Sequence, residues 1–445
     1  MHARRVASLV VCAVCAAACS RLLGLDDFGY GSFGDAGGPG SPDASGGDGN
    51  GEPPQLDASD DVTYTDLQDP SRWSTFDVRQ NFNSSAGTFF GGVFDGRFLY
   101  LAPLSGGRVV RYDTQASFTD PTAWSLFDVG ALMPDGAPPP AFEGGAFDGK
   151  YVYFIPYNQG AALVVRHDTT DPTTFGDSTT WEAYDVAPLS PGAGGSYAFG
   201  GAVFDGRYLV LPPSSNDGVF LRFDTLAAFG DPTSWSVYST PSFSGRSHLF
   251  SGGIFDGTQT YFAPQNAGVV ERHVADASFD AGWSELPVTG SYSGAILDPA
   301  HITFVPNGGT AAQLDLSVPW TAGNAWSTFS MASLDAGLDA RPINDIGYLG
   351  GTFDGRYAYF VPAFFQGVGF GNVVARVDTL TPFTDAGSWT TFDMTRLDAG
   401  PRSCAGAVFD GHYVYFVPLQ DATVVRFEAR TTSAPPPPGN HFSFY

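Results

Sequence analysis

One unit recurs seven times along this 445-residue chain, and no other feature constrains its fold so tightly. The unit opens Gly-small-x-aromatic-Asp-Gly and continues into an alternating strand that ends in proline. Its copies centre on Asp95, Asp148, Asp205, Asp256, Asp298, Asp354 and Asp410. Four residues before each aspartate stands a glycine: Gly91, Gly144, Gly201, Gly252, Gly294, Gly350 and Gly406. Eight residues after each stands a proline: Pro103, Pro156, Pro213, Pro264, Pro306, Pro362 and Pro418. The copy at Asp298 has Leu297 for the aromatic residue and Pro299 for the turn glycine, yet keeps both offsets.

Two further elements complete the unit. Val109-Val110-Arg111-Tyr112-Asp113 recurs as Val164-Val165-Arg166-His167-Asp168 and as Val424-Val425-Arg426-Phe427-Glu428. A six-residue step then joins Phe118 to Trp124, Phe175 to Trp181, Phe229 to Trp235, Trp320 to Trp326 and Phe383 to Trp389. Each unit therefore predicts four strands. Asp-Gly makes the hairpin between the first two, because glycine tolerates a positive φ. Asp-Pro ahead of the tryptophan makes a capped single turn. Asp-to-Asp spacings of 53, 57, 51, 42, 56 and 56 residues suit four-stranded propeller blades, with the Gly-small pair on the crowded innermost strand. The predicted fold is all-β: a seven-bladed β-propeller over residues 62–430. Leu67 to Asp77 carries a tryptophan strand with no unit before it, and the last unit lacks one. The N-terminal strand should thus complete the last blade and remove an open edge.

The order of these elements resembles the kelch repeat, whose period is near 50. The resemblance covers about residues 62–430. Tyr151-Val152-Tyr153-Phe154-Ile155-Pro156 stands where kelch strands end in a Gly-Gly doublet, so the resemblance implies a propeller and carries little of that family's function.

Composition agrees. Gly (56) and Pro (33) make up a fifth of the chain and Phe (38) is abundant, which excludes a mainly helical protein. The formal charge of −25 excludes the basic footprint that a nucleic-acid partner requires.

The first residues read as an address. Arg4 and Arg5 precede an apolar run from Val6 to Ala18, too short to span a bilayer and suited to export. Ala16-Ala17-Ala18-Cys19 resembles the lipobox of bacterial lipoproteins, with Ala16 where that family more often has Leu. The resemblance implies cleavage after residue 18 and lipidation of Cys19. The expected organisation is a signal peptide over 1–18, a Gly/Asp/Pro/Ser tether over 19–61, the propeller over 62–430 and a Pro-rich tail over 431–445. A tether of this composition cannot offset its ordering entropy, and as a coil spans roughly 35 Å. The expected location is the cell envelope, anchored to a bacterial membrane, with the outer membrane the favoured one, and with an extracytoplasmic body. Beyond Cys19 only Cys404 remains, so no intrachain disulfide is available to the body.

Chemistry is harder to find. The repeated aspartates occupy hairpin turns, and Arg111, Arg166, Arg222, Arg272, Arg376 and Arg426 recur like a device for joining blades. His167 and His273 read as packing residues, and Cys404 as a small buried thiol. No metal-ligand spacing, nucleophile elbow or phosphate loop is present, and no catalytic residue, metal or cofactor is assigned. What varies between copies is the set of loops after each proline and after each tryptophan strand, which topology puts on one face. Candidate ligand-binding residues there are Tyr157, Asn158, Gln159, Arg246, His248, Gln265, Asn266, Arg341, Asn344 and Asp345. Amides with aromatics suit peptide backbones and sugars alike. The expected function is a lipid-anchored binding or scaffolding module for a protein or carbohydrate partner, touching the membrane through its anchor only. The alternative is a glycan-active hydrolase or lyase, for which Glu143 is the best-placed acid.

Overall fold

The computed structural model describes residues 62–431 apart from 83–86, 135–136, 138, 158–161, 190–198, 215–217, 241–247, 267, 335–346, 364–370 and 398–402. The compact unit that begins at Thr65 holds seven antiparallel four-stranded sheets. These are the blades of a closed β-propeller. Blade 1 runs outward through Phe89–Phe94, Phe98–Pro103, Arg108–Asp113 and Trp124–Asp128. Blades 2 to 6 repeat that order. Blade 7 takes its three inner strands, Cys404–Phe409, Tyr413–Pro418 and Thr423–Glu428, from the end of the chain and its outer strand, Trp73–Asp77, from the beginning.

The glycines of the repeat do two separate jobs. The first of each pair sits at positive φ, from 67° at Gly144 to 115° at Gly294, which L side chains rarely adopt. Beside it the register to the second strand slips by one residue, as between Phe89 and Gly92, so each inner strand kinks at a β-bulge. The second residue meets the neighbouring blade. A Cβ on Gly351 would lie 2.1 Å from the Tyr359 carbonyl oxygen and 2.5 Å from Ile296 of blade 5. Blades 3, 5 and 7 fit Ala202, Ala295 and Ala407 at this place, so a methyl is the largest group the axis accepts.

Proline stands at or beside the end of each second strand, where pairing with the third has already stopped: in blade 1 Leu101 is the last partner, of Val110, and Pro103 faces only Phe89. Its missing N–H therefore leaves no rung of the ladder unmade.

The six-residue aromatic step is a hydrogen bond. The indole N–H of Trp124 donates to the Phe118 carbonyl at 3.0 Å, and Trp73, Trp181, Trp235, Trp326 and Trp389 repeat this across six residues. Trp283 does so across four, to Phe279. Between step and strand an aspartate caps one 3-10 turn, as Asp120 accepts from the N–H of Thr122. In six blades the aromatic residue three places after the tryptophan then stacks on the tryptophan of the next blade; blade 4 has Leu286 there. Phe127 lies 4.2 Å from Trp181, and Phe392 of blade 6 lies 4.3 Å from Trp73. Phe76, on the same N-terminal strand, continues the girdle to Trp124 of blade 1 at 4.8 Å.

Candidate functional site

Antiparallel strands put the Asp-Gly and Asp-Pro turns on one face of the ring, here the turn face. The connections after the prolines and between blades lie on the other, the loop face.

On the turn face most polar groups of the repeated residues are engaged, with the buried Nε of Arg222 an exception. One oxygen of Asp354 accepts the N–H groups of Arg356 and Tyr357, and the other accepts the Tyr359 hydroxyl at 2.7 Å. Asp95, Asp148 and Asp410 repeat the set with Tyr100, Tyr153 and Tyr415. Burial pushes the carboxyls of Asp95, Asp354 and Asp410 above their ordinary value, against the downward pull of these donors. Each repeated arginine spans two blades. Arg111 lies 4.2 Å from the ring of Phe98 in its own blade and 4.2 Å from Phe175 in the next, and donates to the Pro172 carbonyl at 3.0 Å. Arg222 and Arg376 likewise reach the carbonyls of Ala277 and Thr65. Blade 5 changes the whole set together: Gln313 replaces the arginine and bonds Thr303, and His301 approaches Asp298 at 3.1 Å. A shallow groove of about 330 Å³ opens between blades 1 and 2, lined among others by Arg97, Phe98, Phe147, Lys150 and Pro172. Its cations are spoken for, Arg97 by Asp113 at 2.8 Å and Lys150 by Asp168 at 3.2 Å.

His167 stacks on Trp181 at 4.5 Å, and burial lowers its pKa to about 4. His273 packs on Trp283 and is lowered by the same cause. Burial pushes the Cys404 thiol up, away from the reactive thiolate.

The loop face differs from blade to blade. Tyr157, half-buried beyond the second strand of blade 2 (Tyr151–Pro156), donates its backbone N–H to Ala141 at 2.9 Å. Its ring lies 6.4 Å from Phe90 of blade 1, and burial and the charge of Glu143 push its hydroxyl up. Glu143 is 4% exposed. It takes the place held by Phe90, Gly200, Ser251, Ser293, Leu349 and Ala405 elsewhere, and is the one acid among them. Gln265 is half-buried and Asn266 exposed at the corresponding end of blade 4. His248 is buried ahead of the inner strand Phe250–Phe255, with Nδ1 3.5 Å from Glu271. Asn158, Gln159, Arg246, Arg341, Asn344, Asp345 and Cys19 lie outside the described residues. Among the described residues no group of three or more His, Cys, Asp or Glu is placed to hold a metal. Phe90 and Glu271 escaped sequence reasoning: Phe90 merges with a Phe-Phe pair, and Glu271 shows only when all seven third strands are aligned.

The fold makes this a protein of the seven-bladed β-propeller class. Comparison with solved structures agrees. The chain resembles YCF48 bound to D1 peptide at 11% identity and a TM-score of 0.52, over 82% of this chain and 97% of that one. It resembles a streptogramin B lyase at 10% identity and 0.53, over 80% and 96%, and a chain of a mitotic checkpoint complex at 12% and 0.50, over 84% and 98%. These likenesses concern the fold alone. No protein-family model and no curated protein matches the chain.

Proposed function

We propose that the protein is a lipid-anchored, extracytoplasmic binding or scaffolding module of kelch-like repeats that recruits a protein or carbohydrate partner through its loop face. In this reading residues 1–18 are a signal peptide, Cys19 carries the lipid, 19–61 tether the propeller to a bacterial envelope membrane and 431–445 form a tail. One observation carries the choice of face. The repeated frame of the blades consumes most of its own polar groups on the turn face, whereas Phe90, Glu143 and Tyr157 gather on the loop face at places where blades disagree. A module reads a partner with what distinguishes its repeats, because what every repeat shares is needed for the ring itself.

The test is binding to peptide and glycan arrays, with thermal melts alongside. Tyr157→Ala and a joint Arg246→Ala and Arg341→Ala variant should lose binding at unchanged melting temperature. Asp95→Ala should lose stability and keep affinity while folded. The reverse pattern would move function to the turn face. The anchor is tested separately: Cys19→Ala should leave the detergent phase of a membrane partition, and unchanged partitioning would remove lipidation.

A further inference from the structure

Blade 4 places charge where the other six blades place hydrocarbon. Glu271, on the third strand Val269–Val274, occupies the position of Val110, Val165, Leu221, Ala312, Ala375 and Val425, all of them buried. Glu271 is itself only 4% exposed. Directly opposite it on the outer strand Trp283–Pro287 stands a second carboxylate, Glu285, where the other blades have Leu126, Ala183, Val237, Thr328, Thr391 and Thr75. Like charges opposed across a ladder repel. The imidazole of His248 approaches Glu271 from the segment leading into the inner strand, with both side chains more than nine-tenths buried. From blade 3 the phenol of Tyr238 faces the same place, its hydroxyl pushed up by burial and by the charges of Glu271 and Glu285. Phe262, on the second strand of blade 4, is the remaining neighbour in register and is neutral.

We propose that His248, Glu271 and Glu285 form a proton-held latch at the loop-face end of the seam between blades 3 and 4. The latch ties the approach to the inner strand of blade 4 to its third strand. With one proton shared between imidazole and carboxyl, the cluster carries one negative charge fewer. When the proton leaves, a neutral imidazole remains beside a buried carboxylate that faces a second one. Burial raises Glu271 in the folded protein, with His248 pulling the other way. The folded cluster therefore binds its proton more tightly than the unfolded chain, so its stability is greatest on the acid side and is lost as pH rises through its titration. A buried ionic group at a site built for Val also weakens the ring relative to its own repeat, which makes pH sensing the gain. This goes beyond the binding reading and holds whether or not a partner is found.

The experiment compares the full chain with Glu271→Val, which restores the residue of the repeat, and with Glu271→Gln, which keeps shape without charge. Melting temperatures are followed from about pH 5 to about pH 8.5, and His248 is followed by its imidazole resonances. The stability of Glu271→Val relative to wild type should grow steadily with pH, and the His248 midpoint should fall by ~1–3 pH units in both variants. A stability difference independent of pH, or a His248 midpoint that does not move, would overturn the latch. Should Glu271→Val fail to fold, the Glu271→Gln midpoint decides alone.

Discussion

At the scale of the residue, the repeat is a set of short polar chains that close on themselves. Asp354 is fully buried and serves two backbone donors and a phenol, so Asp354→Ala would strand all three. The expected loss is about 3 kcal/mol in urea unfolding. Blade 5 gives the complementary case, with an imidazole where five other blades have a ring beneath a guanidinium. Asp298 raises the pKa of His301 by accepting its hydrogen bond, against some desolvation. Its stabilisation is complete below the unfolded value of about 6.5 and fades as pH rises through the higher folded value. Melts of His301→Gln should therefore converge on wild type above that window and fall below it on the acid side. The sequence marks the turn role of the aspartates and the joining role of the arginines, since both follow from residue type and repetition. It does not reveal the phenol five residues beyond Asp95, Asp148, Asp354 and Asp410 as their partner, because that contact forms only once the hairpin has closed. Blade 5 hides its altered chemistry for the same reason: Thr303, Gln313 and His301 look like unrelated losses until they meet.

At the scale of the element, adjacent glycines in one strand answer to different constraints. Gly351→Ala keeps an accessible backbone but drives a methyl against the Tyr359 carbonyl and Ile296, for an expected loss of about 1–3 kcal/mol. Gly96→Ala meets nothing within 4 Å, and its cost comes from φ near +100° alone, about 1–2 kcal/mol. Chemical denaturation of the pair separates crowding from strain. The Gly-small signature was legible as an axial strand, yet the bulge was not, since one positive φ inside a strand leaves the same letters as one crowded contact. The Phe-to-Trp step was legible as spacing only, because an indole–carbonyl bond requires the intervening Asp-capped turn to bring the two ends together. The loop-face candidates were the least legible, as they repeat in no other blade and alignment within the chain cannot reach them.

At the scale of the molecule, the ring is one covalent chain whose closing strand comes from its start. Trp73 is 7% exposed and packs between Phe392 of blade 6 and Phe427 of blade 7. Trp73→Ala should cost about 3–5 kcal/mol, comparable to the whole margin of many domains. A chain lacking residues 65–80 should associate through the bared edge, visible as a concentration-dependent mass in light scattering. Closure was legible because a surplus tryptophan strand at one end matched a deficit at the other. The same closure has a mechanical side. Thr65 donates its N–H to Ala429 at 3.0 Å, so the chain enters and leaves the ring side by side on the turn face. From there Trp73–Asp77 runs toward the loop face, hydrogen-bonded throughout its length to Thr423–Glu428. Tension applied at Thr65 against a load held on the loop face pulls along that strand, so its rungs bear the force in shear and must break together. Arg72 on Glu428, at 2.7 Å, and Arg376 on the Thr65 carbonyl, at 3.1 Å, stand ahead of those rungs and take the strain first. A ring fastened in this way is suited to holding on while being pulled.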